Sequence, residues 1–494
     1  MSARQELGRL EAGGLIQIAA LQPELEYLFR HALVQEAAYA SLLKQDRRAL
    51  HNAAAEAILE QHPDRDRELA SVVALHFELA GENARAAEYL VMAGDHALER
   101  FANREGVGFY GRAIGLADES QNELRLRAAV GAAKGSWGFR TTGNEIDGLE
   151  KAVASAGDAQ PELLGEAYFW IAYLRRQRGE VPETSPELKL ATDRALAIAG
   201  TLKDARASAL PRAVMGAGAA FTGRLREGAR EMRAALDDLD QTADPHSNAM
   251  IADFLAMTYA RLGDFDAADE IVVRGTKQAA RADEISRVDI DITQSAINLE
   301  RGEFDKAATQ AFECSARADG LGAYACVVAA NVMFGSATMA KDDAFAAKPP
   351  LERGDELAAV TNMAPFRTLT KGLLASSVAQ LGDLPRGVAG WNEALEGARQ
   401  MSDRYGEARV LSARGRSYLL QTPPDCEAAL ADFELAVKLF DEMEARPALA
   451  RALHDQSKVL QNLGRAAEAD DVRKRALALG RELGLRDAPF AEAD

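Results

Sequence analysis

A ten-residue stretch, Tyr259-Ala260-Arg261-Leu262-Gly263-Asp264-Phe265-Asp266-Ala267-Ala268, returns in paler copies about every forty residues along most of the chain. Ahead of the glycine, Ile251, Leu255 and Tyr259 recur at i, i+4 and i+8 and paint an apolar stripe on one helix face. Gly263 ends that helix, because a residue just past the last turn commonly adopts the left-handed conformation that lets orphan carbonyls bond. Asp264 then caps a second helix. Corresponding marks fall at Gly143, Gly179, Gly223, Gly302, Gly382 and Gly464, with Asp342 and Pro424 at two degenerate copies. Five residues beyond each mark the side chain is usually small, as at Ala268, Ala307 and Ala469, so that two helices can approach closely. A regular step of this size, each unit a helix pair, predicts a solenoid whose units bury their apolar faces only by stacking on neighbours. The interval after Gly179 is about four residues longer, and Pro182 and Pro186 mark a longer loop there.

Leu255, Ala256, Tyr259, Gly263-Asp264-Phe265 and Ala268 resemble the tetratricopeptide pattern, whose usual period is about 34 residues. Units longer by about six residues are similar to the extended repeats in sensor regions of bacterial STAND-class ATPases, including maltose-regulator-like activators. This resemblance implies an all-α fold, a right-handed α–α superhelix. Residues 1–62 stand outside the repeat. Helix, Gly13-Gly14 turn, β segment, Pro23-Glu24 and a helix beginning at Tyr27 suggest the tail of a winged-helix unit. Tyr27-Leu28-Phe29-Arg30-His31-Ala32-Leu33-Val34-Gln35-Glu36-Ala37-Ala38-Tyr39, Arg47-Arg48-Ala49-Leu50-His51 and Phe101-Ala102-Asn103-Arg104-Glu105 resemble the region following the ATPase module in cyclase–ATPase–tetratricopeptide regulators. The expected organisation is a partial winged-helix segment at 1–62, transition helices at 63–118, the repeat array at 119–485 and a frayed tail at 486–494.

No Gly-x-x-x-x-Gly-Lys-Ser/Thr string that could wrap phosphates is present, and no nucleophile–base or metal constellation is recognisable. The expectation is therefore a non-catalytic chain with no cofactor of its own, meeting ATP or ADP only through an absent or partner ATPase module. His31 has two readings. By resemblance to the histidine of other STAND ATPases it senses the nucleotide of such a module; otherwise it packs or caps locally. Tyr168, Trp170 and Tyr173 likewise are either inter-helix core or a ligand groove.

The formal net charge of −18 repels phosphate backbones, which argues against nucleic acid as a partner. No run of 18 apolar residues could cross a membrane. Three widely spaced cysteines and no signal-peptide pattern suggest a reducing, cytoplasmic setting. The expected function is that of a regulatory sensor: the superhelix binds a partner protein, peptide or small effector and is coupled to a STAND ATPase or cyclase module. The alternative is a free-standing tetratricopeptide adaptor for protein complexes.

Overall fold

The computed structural model describes residues 3–20, 26–136, 143–157, 160–181, 185–202, 205–239, 244–361, 363–364 and 366–491. They form two compact units, Met1–Ala128 and Ala129–Asp494. In the first, helix Ala3–Ala12 leads into an antiparallel hairpin of Ile16–Ala20 and Glu26–Phe29, with Ile16 opposite Phe29 and Ile18 opposite Tyr27. Tyr27, Leu28 and Phe29, expected to open a helix, are strand. The helix begins only at Ala32. Aromatic and β-favouring residues paired across a hairpin outweigh the helical spacing there; Pro23-Glu24 lies outside the described residues. Helices Lys44–Gln61, Asp66–Ala80 and Asn83–Glu99 follow, with Ala55, Val73, Phe77 and Ala86 forming their shared core.

The second unit is an all-α, tetratricopeptide-like superhelix. Helix Pro245–Leu262 shows how each repeat is made. Asp244 caps its start by accepting from the Ser247 amide at 3.1 Å, and Gly263, at φ +84°, ends it. The Asp264 amide bonds back to the Tyr259 carbonyl, satisfying an orphan acceptor. Helix Phe265–Ala279 then returns antiparallel, with Ala268 fully buried at the crossing. Gly179, Gly223, Gly302, Gly382 and Gly464 all have φ between +76° and +105°. Asp342 takes the same conformation at φ +58° without glycine's freedom. Ala307 and Ala469 are buried as Ala268 is. Gly143 is instead the first residue of helix Gly143–Ala156; the turn before it, and residues 182–184 of the longer loop, lie outside the described residues.

The two helices of a repeat are not equivalent. Inner helices Pro245–Leu262, Glu284–Arg301, Tyr324–Ala340, Arg367–Gln380, Arg404–Leu419 and Arg446–Asn462 pack successively on one another. Outer helices such as Phe265–Ala279 and Phe304–Leu321 bury one stripe. Tyr324–Ala340 contains no charged residue and is buried on nearly every side, as a helix apolar all round must be.

The superhelix also closes on itself within this unit. Arg226 reaches Glu444, 218 residues later, and Arg486 reaches Glu303, 183 residues away. At about forty residues per repeat, one superhelical turn takes about five repeats. A Cβ on Gly263 would lie 2.6 Å from Leu483, so this glycine permits both the left-handed turn and the approach of the next superhelical turn. Of the tail 486–494 expected to fray, residues 486–491 are docked here, with Phe490 buried and the Arg486 amide donating to the Arg301 carbonyl at 2.9 Å, while 492–494 lie outside the described residues.

A candidate binding channel

Because later inner helices come to face earlier ones, helix Arg446–Asn462 packs against Pro245–Leu262 and Glu284–Arg301, and the concave side between 284 and 490 is partly closed over. Its polar centre is Glu300, at the end of helix Glu284–Arg301. Its carboxylate accepts from the Tyr405 hydroxyl at 2.6 Å and from Arg409 Nη1 at 3.2 Å. Arg451 Nη2 donates to the Glu300 carbonyl at 3.0 Å, and Arg451 also forks onto Asp487 at 2.8 and 2.9 Å. The Arg261 guanidinium lies 4.3 Å from the centre of the Tyr405 ring. Burial, with the negative charge of Glu300 beside it, pushes the Tyr405 hydroxyl up to about 12. Pairing makes such buried charge tolerable; a lone guanidinium in this place would cost several kcal/mol.

Next to this network is a cavity of about 170 Å³. Arg409, Ser412 and Arg416 reach its wall from one face of helix Arg404–Leu419, and Arg451, His454, Asp455 and Lys458 from one face of Arg446–Asn462. Leu373, Phe440 and Phe490 supply apolar wall. Ser336 Oγ, Ser412 Oγ and His454 Nδ1 are buried in this wall with no hydrogen-bond partner among the described residues. Burial, reinforced by Lys458, lowers the His454 pKa and favours its neutral form.

Further along the inner layer, Thr293 donates to the buried Asp253 carboxyl, which burial raises from 3.8 to about 7. Burial and the neighbouring Asp253 raise Asp289 as well, and its Oδ1 lies 3.9 Å from the Cys326 thiol. Burial also pulls on Asp283, but bonding and charge from His246 outweigh it and hold this carboxyl down to about 2.

The sequence-derived candidates lie elsewhere. Trp170 and Tyr173 are 2 % and 8 % exposed and pack with Phe169 as an aromatic cluster, while Tyr168 is half-buried. Trp170 and Tyr173 are core of helix Pro161–Gln177, because their spacing faces them into neighbouring helices. Trp391 is fully buried, its Nε1 donating to Ser376 Oγ at 2.8 Å. His31 is exposed at the N-cap of helix Ala32–Ser41 and makes no side-chain cap bond. His51 and His76, without ligand-like spacing, are brought together at 2.9 Å between Nδ1 atoms, with the Tyr39 hydroxyl on His51 Nε2 at 3.0 Å. The channel residues went unrecognised. Their signal is a polar stripe, Arg409-Ser412-Arg416, repeated by Arg451-His454-Asp455-Lys458 on the next inner helix.

No protein-family model matches the chain, and no curated protein sequence does. Among solved structures it is similar to a Rap protein complexed with Competence and Sporulation Factor, at 11% identity and TM-score 0.55, covering 74% of this chain and 99% of that one. It also aligns with a chain of the APC/C hetero-tetramer Cut9–Hcn1, at 13% identity, TM-score 0.49 and coverages of 94% and 88%. A STAND protein with a tetratricopeptide repeat sensor from Pyrococcus horikoshii aligns at 11% identity and TM-score 0.39, over 90% of this chain and 64% of that one. At such identities the likeness is one of fold. The class defined is the tetratricopeptide-like α-solenoid.

Proposed function

We propose that this chain is a non-catalytic regulatory array that takes a peptide or small effector into its inner channel and passes occupancy to a STAND-class ATPase or cyclase module. The observation that carries this is the cavity wall, where Ser336, Ser412 and His454 keep buried polar atoms unsatisfied among the described residues. Each such group costs about 1–3 kcal/mol, a cost that a bound ligand removes. The similar Rap protein was solved with a bound factor, which supports a ligand-holding role for this kind of array. Because one superhelical turn rests on the next through Glu300, Arg409 and Arg451, a ligand between them changes their spacing and hence the array's pitch.

Residues 1–62 carry the coupling. Leu28, Phe29, Leu33, Leu43 and Leu50 are exposed there, an apolar surface suited to a docked module. His31, exposed at the head of its helix, then contacts that module's nucleotide. The test is co-purification of the full chain with its ATPase module in ADP and in ATP. Nucleotide-dependent association lost in Leu33→Asp and altered retention of ADP in His31→Ala are expected. Nucleotide-independent binding of other proteins would favour the free-standing adaptor. ATP hydrolysis or cyclic-nucleotide synthesis by the purified chain alone would defeat the non-catalytic assignment. Buried free thiols at Cys314 and Cys326 fit a cytoplasmic setting.

A further inference from the structure

The walls of the cavity say more about its occupant than that it exists. Arg409 spends Nη1 on Glu300 and Tyr405, while its Nε and Nη2 bond to no described residue. Ser412, one turn along the same helix, and Ser336, only 2 % exposed on helix Tyr324–Ala340, each have a buried hydroxyl beside the cavity without a partner among the described residues. Of the other cations in the lining, Arg451 is spent on Asp487, and Arg416 and Lys458 pair with Asp455. Glu300 and Asp342, which pair with Arg409 and Arg416, are not part of its lining. The Nε–Nη2 edge of Arg409 is thus an unspent cationic donor in a lining to which Leu373, Phe440 and Phe490 add hydrocarbon. A volume of about 170 Å³ is slightly more than the roughly 150 Å³ that accommodates a benzene ring.

We propose that the cavity is a carboxylate pocket for a ring-sized apolar acid. The planar Nε–Nη2 edge of Arg409 forks onto the carboxylate, as Arg451 forks onto Asp487 alongside it. Ser412 and Ser336 donate to its oxygens, and the apolar body lies against Phe440 and Phe490. A free organic acid and the C-terminal carboxylate of a peptide ending in an apolar residue share this chemistry. The assignment rests on the channel being the effector site and names what that site selects.

Isothermal titration calorimetry on the full chain tests it with two matched pairs: phenylacetate against phenylacetamide, and Gly-Gly-Phe against its C-terminal amide. Each acid is expected to bind at least tenfold more tightly than its amide. Tighter binding of phenylacetate identifies a free acid as the source, and tighter binding of the tripeptide a peptide terminus. Arg409→Gln is expected to lower acid affinity at least tenfold. Ser336→Met, or Ser412→Met should the first fold poorly, fills the cavity and abolishes binding with the thermal midpoint retained. Failure of both acids to bind folded protein, or unchanged affinity in Arg409→Gln, overturns the proposal. Amides that bind as well as acids and are blocked by Ser336→Met overturn the carboxylate assignment alone. Binding that survives both cavity-filling variants removes the channel as the effector site altogether.

Discussion

Two regions of this molecule reverse the usual placement of side chains. In residues 26–50, Leu33 is 78 % exposed and Leu43 71 % exposed, although both lie on or beside helices with polar residues to spare. Between 284 and 490, Glu300, Arg409, Arg451 and Asp487 are drawn inside, where ionised groups are expensive. The first arrangement leaves apolar surface exposed. The second depends on chain hundreds of residues away arriving to pair the charge. One region keeps apolar side chains outside; the other pairs its charges through superhelical closure.

This contrast can be broken by substitution. Glu300→Ala removes the acceptor shared by Tyr405 and Arg409 and leaves a buried guanidinium unpaired, so urea unfolding of the full chain should show a loss of about 3–5 kcal/mol. A change under about 1 kcal/mol would mean that closure does not rest on this network. Phe490→Ala, vacating the docked C-terminal stretch, should cost about 3 kcal/mol, measured the same way; no loss would return the tail to a frayed state.

The inner layer should also betray itself through pH. Burial raises Asp253 from 3.8 to about 7 in the folded chain, so the folded state keeps a proton that the unfolded chain releases. The stability from that proton is full below about pH 4 and lost as the pH rises toward 7, by about 1 kcal/mol per pH unit. Asp253→Asn, which keeps a polar partner for Thr293, should flatten the pH dependence of the urea midpoint over this window. An unchanged slope would show that Asp253 does not carry it. The smallest effect belongs to the other region. Leu33→Ser and Leu43→Ser should change stability by less than about 0.5 kcal/mol, and a larger loss would show that these leucines pack within the chain after all.

Much of the array can be read from local pattern. Gly263, Gly302 and Gly464 stand at left-handed turns, and Ala268 and Ala307 sit where helices cross, because both demands are met by the residue itself and its near neighbours. Tyr27-Leu28-Phe29 misled because strand pairing with residues 16–18 competes with helical spacing, and the partner strand is not visible in the segment's own periodicity. Trp170 and Tyr173 drew attention as large aromatics, yet their size is what makes them core. Arg409, Ser412 and Arg416 drew none, since a polar stripe on a helix ordinarily faces water.

The sequence by itself determined the step, the helix pair and the turn, through short-range preferences repeated often enough to outweigh any single degenerate copy. Only the tertiary structure decided which helix of each pair faces inward, that the concave side is partly closed over, and that Glu300 meets Arg409 and Arg451. Those outcomes follow from the small rotation between successive units, which accumulates over about five repeats and brings distant residues within hydrogen-bonding distance. No window of local sequence contains that sum.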